Sequence, residues 1–362
     1  MSCRTLVLND HHVGVERTGG TTISSAAALR SFALEKHTDC MNLATTVGAK
    51  RVIVNGDLSD TYSIALAQAL ELYVATHQFM LALPDIEVVW ALGNHDLSKD
   101  SSKLGTVAFI GALLRTLHPG QFTLVDRPMA LDDDTYVIPH LVNQEAFDAA
   151  LEEVPASTKW LYLHCNYDNV FAGQADHSLN LAREQAKELT RGGTKIILGH
   201  EHQGRELMAG KVIIVGNQFP TSVADCLSHG DAQRDGRKRA IVVDGDSWES
   251  VTTWTPDDED GWFARVDWKE LKDIEEEGRG FIRVEGEAAA GQSTDAIRAI
   301  AAFRSKAQSY VVTNAVRTEQ VEGLRDLADS IEDIKSINVI DMLLEYLTPE
   351  QRDVITSLRS TT

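Results

Sequence analysis

The sequence predicts a layered α/β fold: two sheets packed face to face with helices outside them, then a small α+β unit and C-terminal helices. Three observations lead there. Short apolar runs alternate with helical stretches through roughly the first 200 residues. Five polar runs stand where those apolar runs end. The texture then changes after Gly199 and again at an acidic segment, Pro256-Asp257-Asp258-Glu259-Asp260-Gly261.

Strands are predicted at 5–8, 51–54, 87–91, 136–138, 160–163 and 195–198. They are continuously apolar, as strands covered on both faces are. Residues 26–47 and 64–82 place apolar side chains at helical spacing. Repetition of strand, loop and helix indicates a layered α/β domain. After Gly199, the runs 211–215, 240–243 and 250–254 alternate with turns and read as the second sheet of a sandwich. The acidic segment, opened by proline and closed by glycine, is the predicted linker. Beyond it, strands at 281–284 and 310–312 flank a helix at 294–304. In the last stretch Ile337, Ile340, Leu344 and Leu347 form one amphipathic stripe. Thr348 and Pro349 restart a helix as N-cap and first-turn residue. These helices either fold back on their own core or dock a partner. The predicted divisions are 1–255, 262–318 and 319–362.

A chain of 362 residues exceeds one core of ordinary size, so one large domain with appendages is expected. Its 43% hydrophobic and 24% charged content is that of a soluble globular protein. Cys3, Cys40, Cys165 and Cys226 are far apart with no C-x-x-C pair, which predicts a reducing, intracellular setting. The first strand follows the N-terminus directly, and no apolar run reaches the roughly 18 residues of a membrane span. A cytoplasmic protein of a cell or virus, with no membrane partner, is therefore expected, and secreted nucleotidases and acid phosphatases are disfavoured. The net charge of −20 is the opposite of a nucleic-acid-binding footprint. It is shared evenly, −10 in residues 1–255 and −10 in 256–362. A nuclease with this balance needs metals, local basic loops or a partner subunit to hold a polyanion.

The five polar runs are Asp10-His11-His12-Val13-Gly14, Gly56-Asp57-Leu58-Ser59-Asp60, Gly93-Asn94-His95-Asp96, His164, and Gly199-His200-Glu201-His202. Carboxylate, amide and imidazole donors at neighbouring strand ends suit two divalent ions. Two metals about 3.5–4 Å apart activate water and neutralise phosphate charge together. Asp57 is the candidate bridge. Asp10 and His12, two residues apart in extended backbone, point the same way and reach one metal; His200 and His202 share that spacing. The mixed donor set suits manganese, iron or zinc. A lone D-x-H or H-x-H is commonplace, and an isolated His is ordinarily structural; five runs in this order are not.

In these motifs the chain resembles the calcineurin-like metallophosphoesterase superfamily, whose ordered motifs are D-x-H, G-D-x-x-D, G-N-H-[DE], a single His, and G-H-x-H. The resemblance covers about residues 1–220. It implies a four-layer α/β/β/α sandwich. It also implies one metal on Asp10, His12, Asp57 and His202, and a second on Asp57, Asn94, His164 and His200. His95 would face the phosphate as general acid, with the Asp60 carboxylate orienting it and favouring its charged form. Asp96 would support the loop, and His11 is positioned to face substrate. Asp10-His11-His12 also spells the DHH triplet of another phosphoesterase family, but that family lacks the later motifs.

The Arg that protein phosphatases of the superfamily carry after the second motif is missing at Asp60-Thr61-Tyr62. Small bacterial phosphodiesterases end soon after G-H-x-H, whereas this chain continues for about 160 residues. That continuation resembles the SbcD-type nuclease subunit of double-strand-break repair. Supporting features are Gly56-Asp57-Leu58-Ser59-Asp60-Thr61, with Ser59 in place of the usual aromatic, the run Val215–Ser222, and an α+β cap followed by helices. The resemblance implies a manganese-dependent DNA exonuclease and endonuclease, commonly dimeric, whose C-terminal helices (319–362) grip an SbcC-type ATPase. The chain has no G-x-x-x-x-G-K-[ST] loop of its own. Arg234, Arg237, Lys238 and Arg239 form the main basic run, read as a hairpin loop that either contacts phosphates or is merely solvated. The rivals are a stand-alone phosphomonoesterase or nucleotide phosphodiesterase, and a non-catalytic scaffold.

Overall fold

The computed structural model describes residues 3–15, 22–100, 103–169, 178–227, 236–256, 262–274, 279–289 and 291–318. The chain opens with β1 (Thr5–Leu8), α1 (Ile23–Thr46), β2 (Arg51–Asn55), α2 (Leu66–Ala82), β3 (Glu87–Ala91), α3 (Thr106–Leu117) and β4 (Phe122–Val125). Next come β5 (Met129–Ala130), β6 (Thr135–Ile138), α4 (Gln144–Glu152), β7 (Trp160–His164), β8 (Asn166–Tyr167), β9 (Asn180–Leu181), α5 (Arg183–Arg191), β10 (Lys195–Gly199), β11 (Arg205–Leu207) and β12 (Val212–Ile214). The rest comprises β13 (Lys238–Asp244), β14 (Ser247–Trp254), β15 (Trp262–Asp267), β16 (Gly280–Glu285), β17 (Glu287–Ala288), α6 (Ser293–Lys306), β18 (Tyr310–Asn314) and β19 (Arg317–Thr318). α1 starts at a capping box in which Thr22 and Ser25 satisfy each other's main-chain N–H.

Two six-stranded sheets form the large unit, in the orders β14-β13-β1-β2-β3-β4 and β11-β12-β10-β7-β6-β5. Alternation along each strand divides the core. In the first sheet Leu6, Leu8, Val52, Val54, Val88 and Trp90 face α1–α3. Val7, Ile53, Val89 and Ala91 face Val137, Tyr162, Ile197 and Ile213 of the second sheet. The other side of that sheet, with Ile138, Leu161, Leu163, Ile196 and Leu198, packs on Phe147 of α4 and Ala186 of α5. The result is the expected four-layer α/β/β/α sandwich. Each fully buried aliphatic side chain contributes roughly 1.5–3 kcal/mol.

The assignment of strands to sheets differs from expectation. Residues 211–215 do lie in the second sheet, where β12 runs parallel to β10. The runs 240–243 and 250–254 instead extend the first sheet: β13 pairs antiparallel with β1, and β14 with β13. This register seats Ile241 opposite Val7, so Ile241 and Val243 close the inter-sheet core. Both faces of β13 are covered, and the apolar pattern alone does not say by which sheet.

The α+β unit holds a parallel three-stranded sheet, β15-β16-β18, with α6. One face has its own core of Ile282, Val284, Ile300, Phe303 and Val312. The other lays Phe281 and Val311 against the core beneath α1. Arg279 bonds Glu35 of α1 at 2.7 Å and lies over Phe32. Most of the linker segment, Arg234, and the helices expected in 319–362 lie outside the described residues. No helix among those described is long and apolar enough to cross a membrane.

Candidate metal centre

All five polar runs converge at the carboxyl ends of parallel strands from both sheets, β1, β2 and β3 from one, β7 and β10 from the other. Their loops are laced together by main-chain hydrogen bonds. Asp10 N donates to Gly56 O at 3.0 Å, His12 N to Asp57 O at 3.0 Å, and Asp60 N to Val13 O at 3.1 Å. Asp10 and His12 converge, but not by the extended alternation that their two-residue spacing predicts. Their φ angles are 53° and 46°, and Asp57 (49°) and His200 (90°) also have positive φ. Non-glycine residues rarely take this conformation, and it clusters at functional sites.

Donor atoms gather in the two sets expected of a binuclear centre. Asp10, His12 and His202 bring ligand atoms within 4.8 Å of one another, as do Asp57, His164 and His200, and a third grouping of His12, Asp60 and His95 overlaps the first. His12 Nε2 lies 3.0 Å from His202 Nε2. Asn94 Oδ1 lies 3.1 Å from His164 Nε2 and 2.9 Å from His200 Nδ1. Asp57 joins the sets, its Oδ2 3.2 Å from His164 Nε2 and its Oδ1 accepting from His95 N at 2.8 Å. His12 Nδ1 is buried without a hydrogen-bond partner. Convergent imidazole, carboxylate and amide donors of this kind fit two divalent ions with mixed oxygen and nitrogen ligands.

The electrostatics follow from burial and these contacts. Burial opposes charge on His164, but Asp57 and then Asp10 raise it to about 9. Burial and His164 act against each other at Asp57, and the imidazole wins, holding the carboxyl well below its usual range. Burial, helped by the charge on His202, pushes His12 down to about 3. His202 is opposed by burial yet raised to about 9 by Asp225. The His12–His202 contact thus shares one proton, held on His202. His164 and His202 must each release a proton before ligating metal.

His95 lies beside this centre, its ring 4.8 Å from that of His12. Its Nδ1 donates to the main-chain carbonyl of Asp60 at 2.5 Å. Burial opposes its charged form, but Asp57 and the Asp60 carbonyl raise its pKa. The main chain of Asp60 therefore makes the orienting bond assigned to its carboxylate, whose Oδ1 stands 3.7 Å from His12 Nδ1. Asp96 supports the loop as expected, accepting from Gly93 N and Ser59 N and Oγ at 2.9 Å each. That contact gives Ser59 its role, since its short hydroxyl reaches the same carboxylate oxygen as its main-chain N–H.

Other expectations shift. His11 does not face substrate: it is fully buried, with Nδ1 2.7 Å from His37 Nδ1 and its ring against Phe219. Lys238 and Arg239 begin β13 rather than a hairpin loop. Lys238 is 3% exposed and donates to His202 O at 3.2 Å. Arg239 is engaged by Glu206 at 3.1 Å and Ile214 O at 3.3 Å. Of the run, Arg237 is exposed. Asp225, absent from the sequence reading, is buried and bonds His202 Nδ1 at 2.9 Å.

A layered sandwich with two such donor sets at its strand ends defines a metal-dependent phosphoester hydrolase. The model of the calcineurin-like phosphoesterase family matches residues 3–204, and the chain belongs to that family. No curated protein matches. Among solved structures, a dimetal phosphatase from Danio rerio (LOC 393393) aligns over 70% of this chain and 97% of its own. It does so at 8% identity and a TM-score of 0.33, too distant to inform activity.

Proposed function

We propose that this phosphoester hydrolase is a manganese-dependent DNA exonuclease and endonuclease, the nuclease subunit beside an SbcC-type ATPase. The observation that carries the reading is the coupling of the α+β unit to the metal loops. Phe281 of β16 packs on Phe32 of α1 with ring centroids 6.0 Å apart, and Phe32 on Phe219 at the same distance. Phe219 in turn meets His11, between two ligands, at 5.2 Å. A unit fixed through this chain of rings to the loop that carries Asp10 and His12 suits a long polymer better than a small ester. ATPase binding through 319–362 belongs to the same reading.

When bound, two divalent ions would supply an activated water and neutralise phosphate charge. Asp10, His12, Asp57 and His202 would hold one, and Asp57, Asn94, His164 and His200 the other. His95, with Nδ1 committed to Asp60 O, keeps Nε2 to protonate the leaving oxygen.

The acidic chain, with Lys238 and Arg239 engaged internally, favours a second reading, a phosphomonoesterase or nucleotide phosphodiesterase acting alone. Manganese-dependent cleavage of single-stranded and duplex DNA, measured beside hydrolysis of a small phosphomonoester, separates the two. DNA nicking is the expected result; intact DNA with rapid turnover of the small ester would overturn the nuclease reading.

A second copy of the chain is the occupant proposed for the outer face of α2 and α3. Leu66, Leu70 and Leu81 of α2 are 84%, 58% and 62% exposed, and Phe109 and Leu117 of α3 52% each. Leu66, Leu70 and Phe109 line a groove of about 610 Å³. In a chain of net charge −20, each helix carries one charged residue, Glu71 or Arg115. Light scattering should show a dimer, and Leu70→Glu with Phe109→Glu a folded monomer. A wild-type monomer at micromolar concentration would refute this.

A further inference from the structure

The two donor sets are supported differently. In the set of Asp57, Asn94, His164 and His200, the His164 ring is oriented by a neutral group, Nδ1 donating to Asn55 O at 2.8 Å. In the set of Asp10, His12, Asp57 and His202, the orienting group behind His202 is the carboxylate of Asp225. That carboxylate is itself immobilised. Its Oδ2 accepts from Thr221 N at 3.0 Å, Thr221 Oγ1 at 2.9 Å and Ser222 N at 3.1 Å, leaving Oδ1 for His202. Lys238 is nine-tenths buried or more and ties down the main chain of the same ligand, Nζ donating to His202 O at 3.2 Å. Ring and backbone of His202 are thus fixed from opposite ends, with Nε2 aimed at His12 and Asp10.

We propose that Asp225 is a positioning residue that selectively tightens metal binding at the Asp10–His12–His202 set, with Lys238 locking the loop it acts on. A carboxylate behind a ligating imidazole fixes its tautomer and raises its basicity. Loss of such a partner typically costs about 10–100-fold in metal affinity. The other set has one negative ligand, the shared Asp57, beside neutral Asn94, so the two ions bind with unequal affinity and Asp225 sustains the stronger step.

The inference rests on the two-metal reading and is independent of the DNA substrate. It is tested on the full chain, stripped with chelator and titrated with manganese alone by calorimetry, with bound metal counted by mass spectrometry. Wild type should take up two ions in distinguishable steps. Asp225→Asn should weaken the tighter step by about 10–100-fold and leave the weaker one within about twofold. Equal weakening of both steps, or of neither, would overturn the proposal. Uptake of a single ion by wild type would overturn the two-metal reading with it. If Asp225→Asn does not fold, Thr221→Val, which removes one donor to Oδ2, replaces it, and a selective loss of severalfold at the tighter step is expected. Lys238→Met should move the same step in the same direction.

Discussion

Replacement of His95 by Asn should lower the turnover of an unactivated phosphodiester by about 10²–10⁴-fold while both metals stay bound. The argument is geometric. His95 groups with His12 and Asp60 within 4.8 Å, but its Nδ1 is taken by the Asp60 carbonyl, so its loss should leave the metal count at the two four-residue sets unchanged. Burial opposes its charged form, but Asp57 with that carbonyl raises its pKa, the direction a general acid needs. A general acid matters in proportion to the basicity of the leaving oxygen. A p-nitrophenyl diester, whose leaving group departs without a proton, should therefore lose much less rate than DNA or an alkyl ester. Equal losses on both would rule out the acid role and leave His95 as a phosphate contact. Asp60→Asn should cost less than His95→Asn, because the orienting acceptor is a main-chain oxygen that survives the substitution.

That distinction marks where the sequence stops being legible. The candidate ligands were readable because each sits at the end of a continuously apolar strand, where a core offers no reason for Asp, Asn or His. The layered α/β character was readable from the alternation of strand and helix, while the four layers came with the family resemblance that the motifs carry. Which sheet β13 and β14 join was not readable, because alternation fixes the faces of a strand and not its neighbour. The left-handed backbone at Asp10, His12 and Asp57 left no mark either, since the convergence of ligands looked the same from an extended spacing. Asp225 was missed because it approaches His202 from 23 residues away, at no fixed spacing. One signal was available, Thr221-Ser222 three to four residues before an Asp, which is a local carboxylate-capping pattern. The basic run misled for the opposite reason. Charge on Lys238 and Arg239 is visible in the sequence, while the burial of Lys238 against His202 and the engagement of half-buried Arg239 by Glu206 and Ile214 are not. His11 was similar: a polar residue between two ligands looks functional until its ring is found turned into the core beside His37.

The glycines of the second and third motifs should prove as necessary as the ligands. A Cβ at Gly93 falls 2.2 Å from both the main-chain N and Oδ1 of Asp57, the residue that joins the two donor sets. At Gly56, where φ is +93°, it falls 2.0 Å from His164 Nδ1, inside the ring of a ligand. Neither contact yields to rotation of a flexible side chain: one involves backbone, the other a ring clamped by Asn55 and Asp57. Gly93→Ala should therefore displace the Asp57 carboxylate, release metal from both sets, and cut activity by at least about 10³-fold, the scale on which metal catalysis is lost. The sheets beneath, closed by Trp90, Val54 and Leu163, should keep the fold. Gly192→Ala is the control, since nothing lies within 4 Å of its Cβ and its φ of −74° suits alanine. That variant should retain full activity and gain a few tenths to about 1 kcal/mol of stability. Metal content and thermal unfolding measured on both separate local from global damage. If Gly93→Ala keeps two metals and wild-type turnover, the close approach of Gly93 to Asp57 is not what shapes the site, and the placement of Asp57 between the two donor sets fails with it.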